Sequence, residues 1–164
     1  MNMFHRKTSD NKGFTLIETV VVLILAAILA AFVISRGIST DNDLIPQADI
    51  VKSHLRFAQL KALADDVNAS GTATSWGIVF TASSYTLYKD GAVASINLPG
   101  ENGNSHTFPT GVTSGGVTTV TFNRWGSPVD SSGNLLAGNA AVTLSQGGVT
   151  TTITVANNTG YITP

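Results

Sequence analysis

An apolar run near the start of the chain constrains the fold more than any other feature. It extends from Phe14 to Ile34 and contains one ionisable residue, Glu18. As a helix, at about 1.5 Å per residue, the run would be roughly 30 Å long, which matches the hydrocarbon thickness of a bilayer. The sequence therefore predicts a hydrophobic, membrane-spanning helix over residues 14–38, with the rest of the chain attached to it.

The short segment before this run carries a charge bias that predicts its orientation. Three basic residues stand against one acidic residue there: Arg6, Lys7 and Lys12 against Asp10. Because basic flanks stay on the cytoplasmic side, we expect residues 1–13 in the cytoplasm and the C-terminal part on the opposite side of the membrane.

Glu18 requires a partner charge, since an ionised carboxylate inside an apolar span costs on the order of 3 kcal/mol. Gly13 offers a small residue at a cleavage site. If the chain is cut between Gly13 and Phe14, the new α-amino group lies four residues from Glu18 and can neutralise it. The spacing leaves open whether this pair forms within one chain or between neighbouring chains.

The segment from Lys12 to Glu18, followed by the apolar run, resembles the class III leader and N-terminal segment of type IV pilins and type II secretion pseudopilins. The resemblance implies that a prepilin peptidase, an aspartyl protease in the membrane, cuts after Gly13 and methylates the new N-terminus at Phe14. It also implies that Glu18, fifth in the mature chain, meets the N-terminus of an adjacent subunit during filament assembly. Residues 34–37 lack the helix-kinking proline of many type IV pilins, so the pseudopilin branch fits better.

Two simpler interpretations of the N-terminus remain open. An ordinary secretory signal peptide has a shorter apolar region with a small-residue cut site after it, and only Ala30-Ala31 suggests one here. A plain signal anchor explains the basic flank and the length of the run, but it leaves Glu18 unexplained.

Composition excludes several classes of function. The chain has 164 residues, and removal of residues 1–13 leaves six Lys and Arg against nine Asp and Glu, a net charge of -3. This balance gives no electrostatic support for nucleic-acid binding. The chain has no cysteine, which excludes thiolate metal sites, cysteine nucleophiles and the C-terminal disulfide loop that many major type IV pilins carry.

A second helix should follow a polar break. Asp41 and Asp43 lie in this break and lack the spacing of a calcium loop, so we interpret them as solvated capping residues. Pro46 suits the first turn of the helix. Apolar residues then recur at steps of three and four, which predicts one buried face: Leu44, Ala48, Val51, Leu55, Ala58 and Ala62. Lys52, Arg56 and Gln59 fall away from that face.

From residue 68 onward, short apolar runs separated by turn residues predict antiparallel strands. Asp90-Gly91 and Gly147-Gly148 are the turn signals. The predicted strands are Trp76–Thr81, Ser84–Lys89, Val93–Leu98, Val117–Asn123, Ala141–Ser145, Val149–Ala156 and a short one at Tyr161-Ile162, with a loop from Pro99 to Phe108.

The fold class predicted is therefore α+β and pilin-like, with a long hydrophobic helix continuing into an amphipathic helix packed on a C-terminal antiparallel sheet. The globular part is similar to minor pseudopilins of the GspH/FimT type. That similarity is carried by the second helix, the strand from Trp76, Phe122 with Gly126, and the closing segments Ile153–Val155 and Thr159–Tyr161. The domain organisation implied is a cleaved leader at 1–13, the hydrophobic helix at 14–38 and a periplasmic domain at 39–164.

No catalytic, cofactor or metal site is expected. His5, His54 and His106 lie in different predicted segments, so no two are placed by the sequence to share a metal ion. No serine stands in a Gly-x-Ser-x-Gly elbow and no glycine cluster has the phosphate-binding form. The chain is not expected to be an enzyme.

Arg124 and Trp125 form the one candidate interface, because Arg and Trp are common interface anchors. The sequence favours the simpler alternative, in which an aromatic side chain at a turn packs on its own sheet. Some FimT-like pilins act as DNA receptors, but residues 156–164 contain no Lys or Arg, which counts against that role here.

The function predicted is that of a structural subunit, of the minor class, in a type II secretion pseudopilus or a type IV pilus. The alternative is a DNA-binding or adhesive receptor at the filament tip. The partners implied are other pilins or pseudopilins, the prepilin peptidase and the inner-membrane assembly platform. The location implied is a single pass through the inner membrane with the domain in the periplasm, and then a pilus or pseudopilus.

Overall fold

The computed structural model describes residues 15–37, 43–65 and 74–163. The chain divides into two compact units, Met1–Ser39 and Thr40–Pro164. The first contains helix α1 (Leu16–Gly37), and the second contains helix α2 (Leu44–Ala64) and ten strands. The predicted boundary residues Gly13, Phe14 and Ile38 lie outside the described residues.

Helix α1 has 22 residues and begins directly after Thr15. The side-chain oxygen of Thr15 accepts a hydrogen bond from the Glu18 N–H at 3.3 Å, and its carbonyl accepts one from the Thr19 N–H at 3.2 Å. Thr15 therefore acts as the N-cap residue of this helix. Among the described residues, no helix has the length and apolar character that crossing a membrane requires.

Helix α2 confirms the predicted amphipathic stripe. All six apolar residues of that stripe are buried, and Gln47 and His54 are buried with them. Pro46 lies in the first turn, as predicted. The prediction of capping by Asp43 is wrong, because its backbone is helical and its side chain makes no capping hydrogen bond. Asp41 lies outside the described residues.

The strands form two antiparallel sheets rather than the one predicted. The first has six strands in the order β3-β2-β1-β6-β7 with β4 also paired to β2, and the second has four in the order β10-β9-β8-β5. The strands are β1 (Trp76–Phe80), β2 (Ser84–Lys89), β3 (Ala92–Val93), β4 (Ser105–Thr107), β5 (Thr113–Gly116), β6 (Thr119–Phe122), β7 (Pro128–Val129), β8 (Ala140–Gln146), β9 (Val149–Val155) and β10 (Ile162–Thr163).

The predicted strand Val93–Leu98 is wrong, and so is the loop from Pro99 to Phe108. Strand β3 ends at Val93 because β4, which lies within that predicted loop, occupies the remaining length of the same edge of β2. Between the two strands, the chain turns inward and buries Ala94 and Leu98. Strands β5 and β7 were not predicted.

Helix α2 packs against strands of both sheets: β1 and β6 of the first, and β8, β9 and β10 of the second. The largest fully buried side chains lie where these elements meet, among them Leu55, Ile78, Tyr85, Leu87, Phe122 and Ile153. Gly77 allows β1 and β6 to approach closely, since a Cβ there would lie 2.5 Å from the carbonyl oxygen of Val120.

Candidate functional site

His54 of α2 and His106 of β4 are distant in sequence but lie side by side, with 6.1 Å between their ring centroids. His54 Nε2 lies 2.8 Å from the Pro99 carbonyl oxygen, and Nδ1 lies 2.7 Å from the Tyr85 hydroxyl. Because a carbonyl only accepts, neutral His54 carries its proton on Nε2 and accepts at Nδ1 from Tyr85. Burial lowers the pKa of His54, and nearby His106 lowers it further, against the opposing hydrogen bond to Pro99 and the charge of Glu101.

His106 is held from both sides in the same cluster. Its Nδ1 lies 2.6 Å from Glu101 Oε1, and its Nε2 lies 2.9 Å from Gln47 Oε1. Its ring stacks on Tyr85 with 5.0 Å between centroids. The ring nitrogens of both histidines are thus engaged in hydrogen bonds. Within the described residues, no group of three or more His, Cys, Asp or Glu side chains is placed to hold a metal ion.

Gln59 joins two turns at the C-terminal end of α2. Its Nε2 donates hydrogen bonds to the carbonyl oxygens of Gly126 at 2.8 Å and Gly160 at 3.0 Å. Both glycines have positive φ, 75° and 64°, and a Cβ on Gly160 would clash with the carbonyl oxygen of Gly126. The two turns therefore require glycine at these positions to approach each other.

The candidate interface residue Trp125 lies beside Gly126 in the first of these turns and is 71% exposed. The Arg124 guanidinium lies over its ring, 4.7 Å from the centroid. The alternative of an aromatic side chain packed on its own sheet is therefore wrong. Tyr161, beside Gly160 in the second turn, is 67% exposed and was not predicted as part of an interface.

At the other end of the chain, Glu18 lies in the first turn of α1 and is exposed. A carboxylate there is stabilised by the positive end of the helix dipole. The N-cap role of Thr15 was missed, although Thr15 and Glu18 have the spacing of a capping box, which is a readable sequence signal. Apolar side chains on every side of α1 are exposed, from Leu16 at 83% to Leu29 at 64%.

Comparison with known proteins gives a match to the N-terminal segment of the chain. Residues 8–34 match the family model of the prokaryotic N-terminal methylation motif. This motif is the signature of type IV pilins and pseudopilins. The chain carries the type IV pilin and pseudopilin signature. The comparisons with curated proteins and with solved structures returned no match.

The signature supports a type IV pilin-like or pseudopilin subunit whose precursor is processed and methylated at its N-terminus. Other pilins and a prepilin peptidase are the general partners that the motif implies. It points to a structural subunit rather than an enzyme. It also indicates a precursor anchored in the membrane that later enters a pilus. The described α+β fold is consistent with a pilin-like domain.

Proposed function

We propose that this chain is a minor structural subunit of a type II secretion pseudopilus or a type IV pilus and that it assembles through α1. The observation that carries the proposal is the methylation motif over residues 8–34, which includes Glu18 in the first turn of an apolar helix. The minor class is supported by the resemblance of the globular part to GspH/FimT-type pseudopilins, and by the absence of the cysteines that major pilins use for a disulfide loop.

The proposed mechanism begins at the leader. A prepilin peptidase cuts between Gly13 and Phe14 and methylates the amino group of Phe14. Residues 14–38 hold the precursor in the inner membrane, with residues 39–164 in the periplasm, until the assembly platform moves the subunit into the filament. In the filament, the Glu18 carboxylate pairs with the Phe14 amino group of an adjacent subunit and sets the register between the two.

Exposed apolar side chains supply the second part of the mechanism. Side chains such as Leu23, Ile24 and Ile28 are between half and two-thirds exposed on α1. In a filament, the same side chains would pack against neighbouring α1 helices, which replaces the lipid contacts of the membrane-held precursor and keeps them out of water. Packing between α1 helices thus holds the filament together, while the charge pair at Glu18 selects one register.

The experiment that tests this proposal is Glu18→Ala in the full chain. We expect membrane insertion and leader cleavage to remain, because neither needs the carboxylate, and incorporation into sheared filaments to fall at least tenfold. Asp130→Asn, a change to an exposed carboxylate in the domain, is the control and should incorporate normally. Incorporation of Glu18→Ala at the level of the unmodified chain would reject the charge-pairing mechanism.

A receptor function is the second candidate, and the exposure of Trp125 at 71% is the observation that favours it. An exposed Trp beside Arg124 suits stacking on nucleic-acid bases. The net charge of the processed chain, -3, opposes it. Salt-sensitive binding of DNA by the purified chain at physiological ionic strength would favour the receptor over the structural subunit.

A further inference from the structure

Three large side chains from separate segments are exposed around Gln59, at the C-terminal end of α2. Leu60 on α2 is 63% exposed, Trp125 in the first turn is 71% exposed, and Tyr161 in the second turn is 67% exposed. We call these three residues the aromatic surface. Exposed clusters of large apolar side chains in a folded domain mark interaction sites more often than scattered single ones do.

The two turns that carry Trp125 and Tyr161 are held in fixed positions by hydrogen bonds. Gln59 bonds both turns, and Asn123 Oδ1 accepts hydrogen bonds from the N–H groups of Trp125 at 3.0 Å and Ser127 at 3.1 Å. The Ser127 hydroxyl donates to the Asn158 carbonyl at 2.8 Å and so ties the two turns together a second time. A partner would therefore meet a preorganised backbone, which lowers the entropic cost of binding.

Two shallow cavities border this surface along α2, with volumes of about 430 and 350 Å³, and both are lined by Arg56 and Leu60. Tyr161 lines the larger one. An aliphatic or aromatic side chain of a partner would fit against Leu60 and Tyr161 there. Most of the binding energy at protein interfaces comes from such central anchors, and Trp, Tyr and Arg are the residues enriched among them.

Arg56 is the cation that lines both cavities. It is exposed and donates a long hydrogen bond, 3.5 Å, to the Ile162 carbonyl. Within residues 43–65 and 74–163, Arg56 forms no salt bridge. Asp49, the one carboxylate lining these cavities, is already paired with Lys52 at 2.7 Å. The surface therefore complements an acidic partner.

We propose that the aromatic surface binds an acidic segment of a neighbouring pilin-like subunit, which places an apolar side chain against Leu60 and Tyr161 and a carboxylate near Arg56. This inference rests on the proposed function, because a filament supplies the neighbour. In an open filament, each subunit contacts the next through two different surfaces, so a partner segment unlike the aromatic surface itself is required. A protein partner is favoured over nucleic acid because the surface offers aliphatic area and the processed chain is acidic overall.

Photocrosslinking in the full chain tests this proposal. A benzoylphenylalanine probe would replace Trp125 or Tyr161, and a control probe would replace Ile45, which is also 71% exposed but lies in the first turn of α2. In cells that assemble the filament, we expect the probes at 125 and 161 to crosslink to an acidic peptide of another subunit, identified by mass spectrometry. The probe at 45 should crosslink to that peptide at least about tenfold less.

The outcomes separate the two proposals. Filaments that contain the chain but give no such crosslink at 125 or 161, an equal yield from position 45, or crosslinks to nucleic acid would overturn the inference and leave the subunit function standing. Filaments that never contain the chain would overturn the subunit function, and the inference with it.

A charge reversal tests the acidic nature of the partner. We expect Arg56→Glu to lower the crosslink yield from Tyr161 at least about fivefold, because a like charge would face the partner's carboxylate. Arg56→Lys keeps the charge and should retain most of the yield. An unchanged yield in Arg56→Glu would show that the partner segment is not acidic.

Discussion

Glu18 is the residue on which the proposed assembly depends. Its backbone N–H donates a hydrogen bond to the Thr15 side chain at 3.3 Å, which places Glu18 in the first turn, at the positive end of α1. Both the apolar surroundings of Glu18 and its capping-box spacing with Thr15 are local features that can be read from the sequence alone, although the N-cap role of Thr15 was missed. The proposed partner of Glu18, the Phe14 amino group of an adjacent subunit, lies in a different chain.

The buried histidines are the opposite case. Tyr85 and Pro99, the partners of His54, are 31 and 45 residues away in sequence. Helical spacing predicts that a residue at position 54 lies near the buried face of α2, but it does not predict which groups from β2 and the turn at Pro99 meet it. The pairing of His54 with His106 was therefore not predictable from the sequence.

The lowered pKa of His54 gives a prediction for stability against pH. The unfolded chain takes up a proton on this histidine near its ordinary pKa of about 6.5, and the folded chain takes it up only at lower pH. The contribution of neutral His54 to the free energy of unfolding is thus fully present above about pH 6.5. It is lost as the pH falls towards the lowered pKa of the folded state.

The measurement is denaturant unfolding at pH 7.5 and pH 5.5 for the unmodified chain and for His54→Gln. We expect the variant to be less stable at pH 7.5 by about 1–3 kcal/mol, because Tyr85 and Pro99 lose a buried partner. The difference between the two chains should shrink at pH 5.5. The same difference at both values would contradict the assigned protonation state.

At the scale of elements, α2 was predictable because its signal is local. Residues at steps of three and four share one helix face, and all six predicted positions are buried. The strands β1 and β2 were predicted nearly to their ends for the same reason. The division of one edge of β2 between β3 and β4 was not predictable, because β4 is separated from β2 by β3 and a long connection, and local sequence does not report that pairing.

The same helix supplies a matched pair of variants. Leu55 is fully buried and Leu60 is 63% exposed. We expect Leu55→Ala to lower the free energy of unfolding by about 2–5 kcal/mol, since it leaves a cavity between α2 and the sheets. Leu60→Ala should change it by less than about 0.5 kcal/mol. Equal losses in denaturant unfolding would contradict the orientation of α2.

In the molecule as a whole, the two units differ in the burial of their apolar side chains. The unit Thr40–Pro164 contains a hydrophobic core formed by α2 and both sheets, and it has no disulfide because the chain has no cysteine. Helix α1 instead presents exposed apolar side chains on every side. Its sequence therefore predicts a hydrophobic partner, and the methylation motif indicates the class of assembly that provides one.

Mass spectrometry of the N-terminal peptide of the assembled protein tests the proposed charge pair. We expect a chain that begins with N-methylated Phe14, because only cleavage after Gly13 produces an amino group that can pair with Glu18. Gly13→Leu should block this cleavage and leave the precursor mass. A mature protein that begins at any other residue, or a Gly13→Leu chain with the mature mass, would rule out pairing between Phe14 and Glu18.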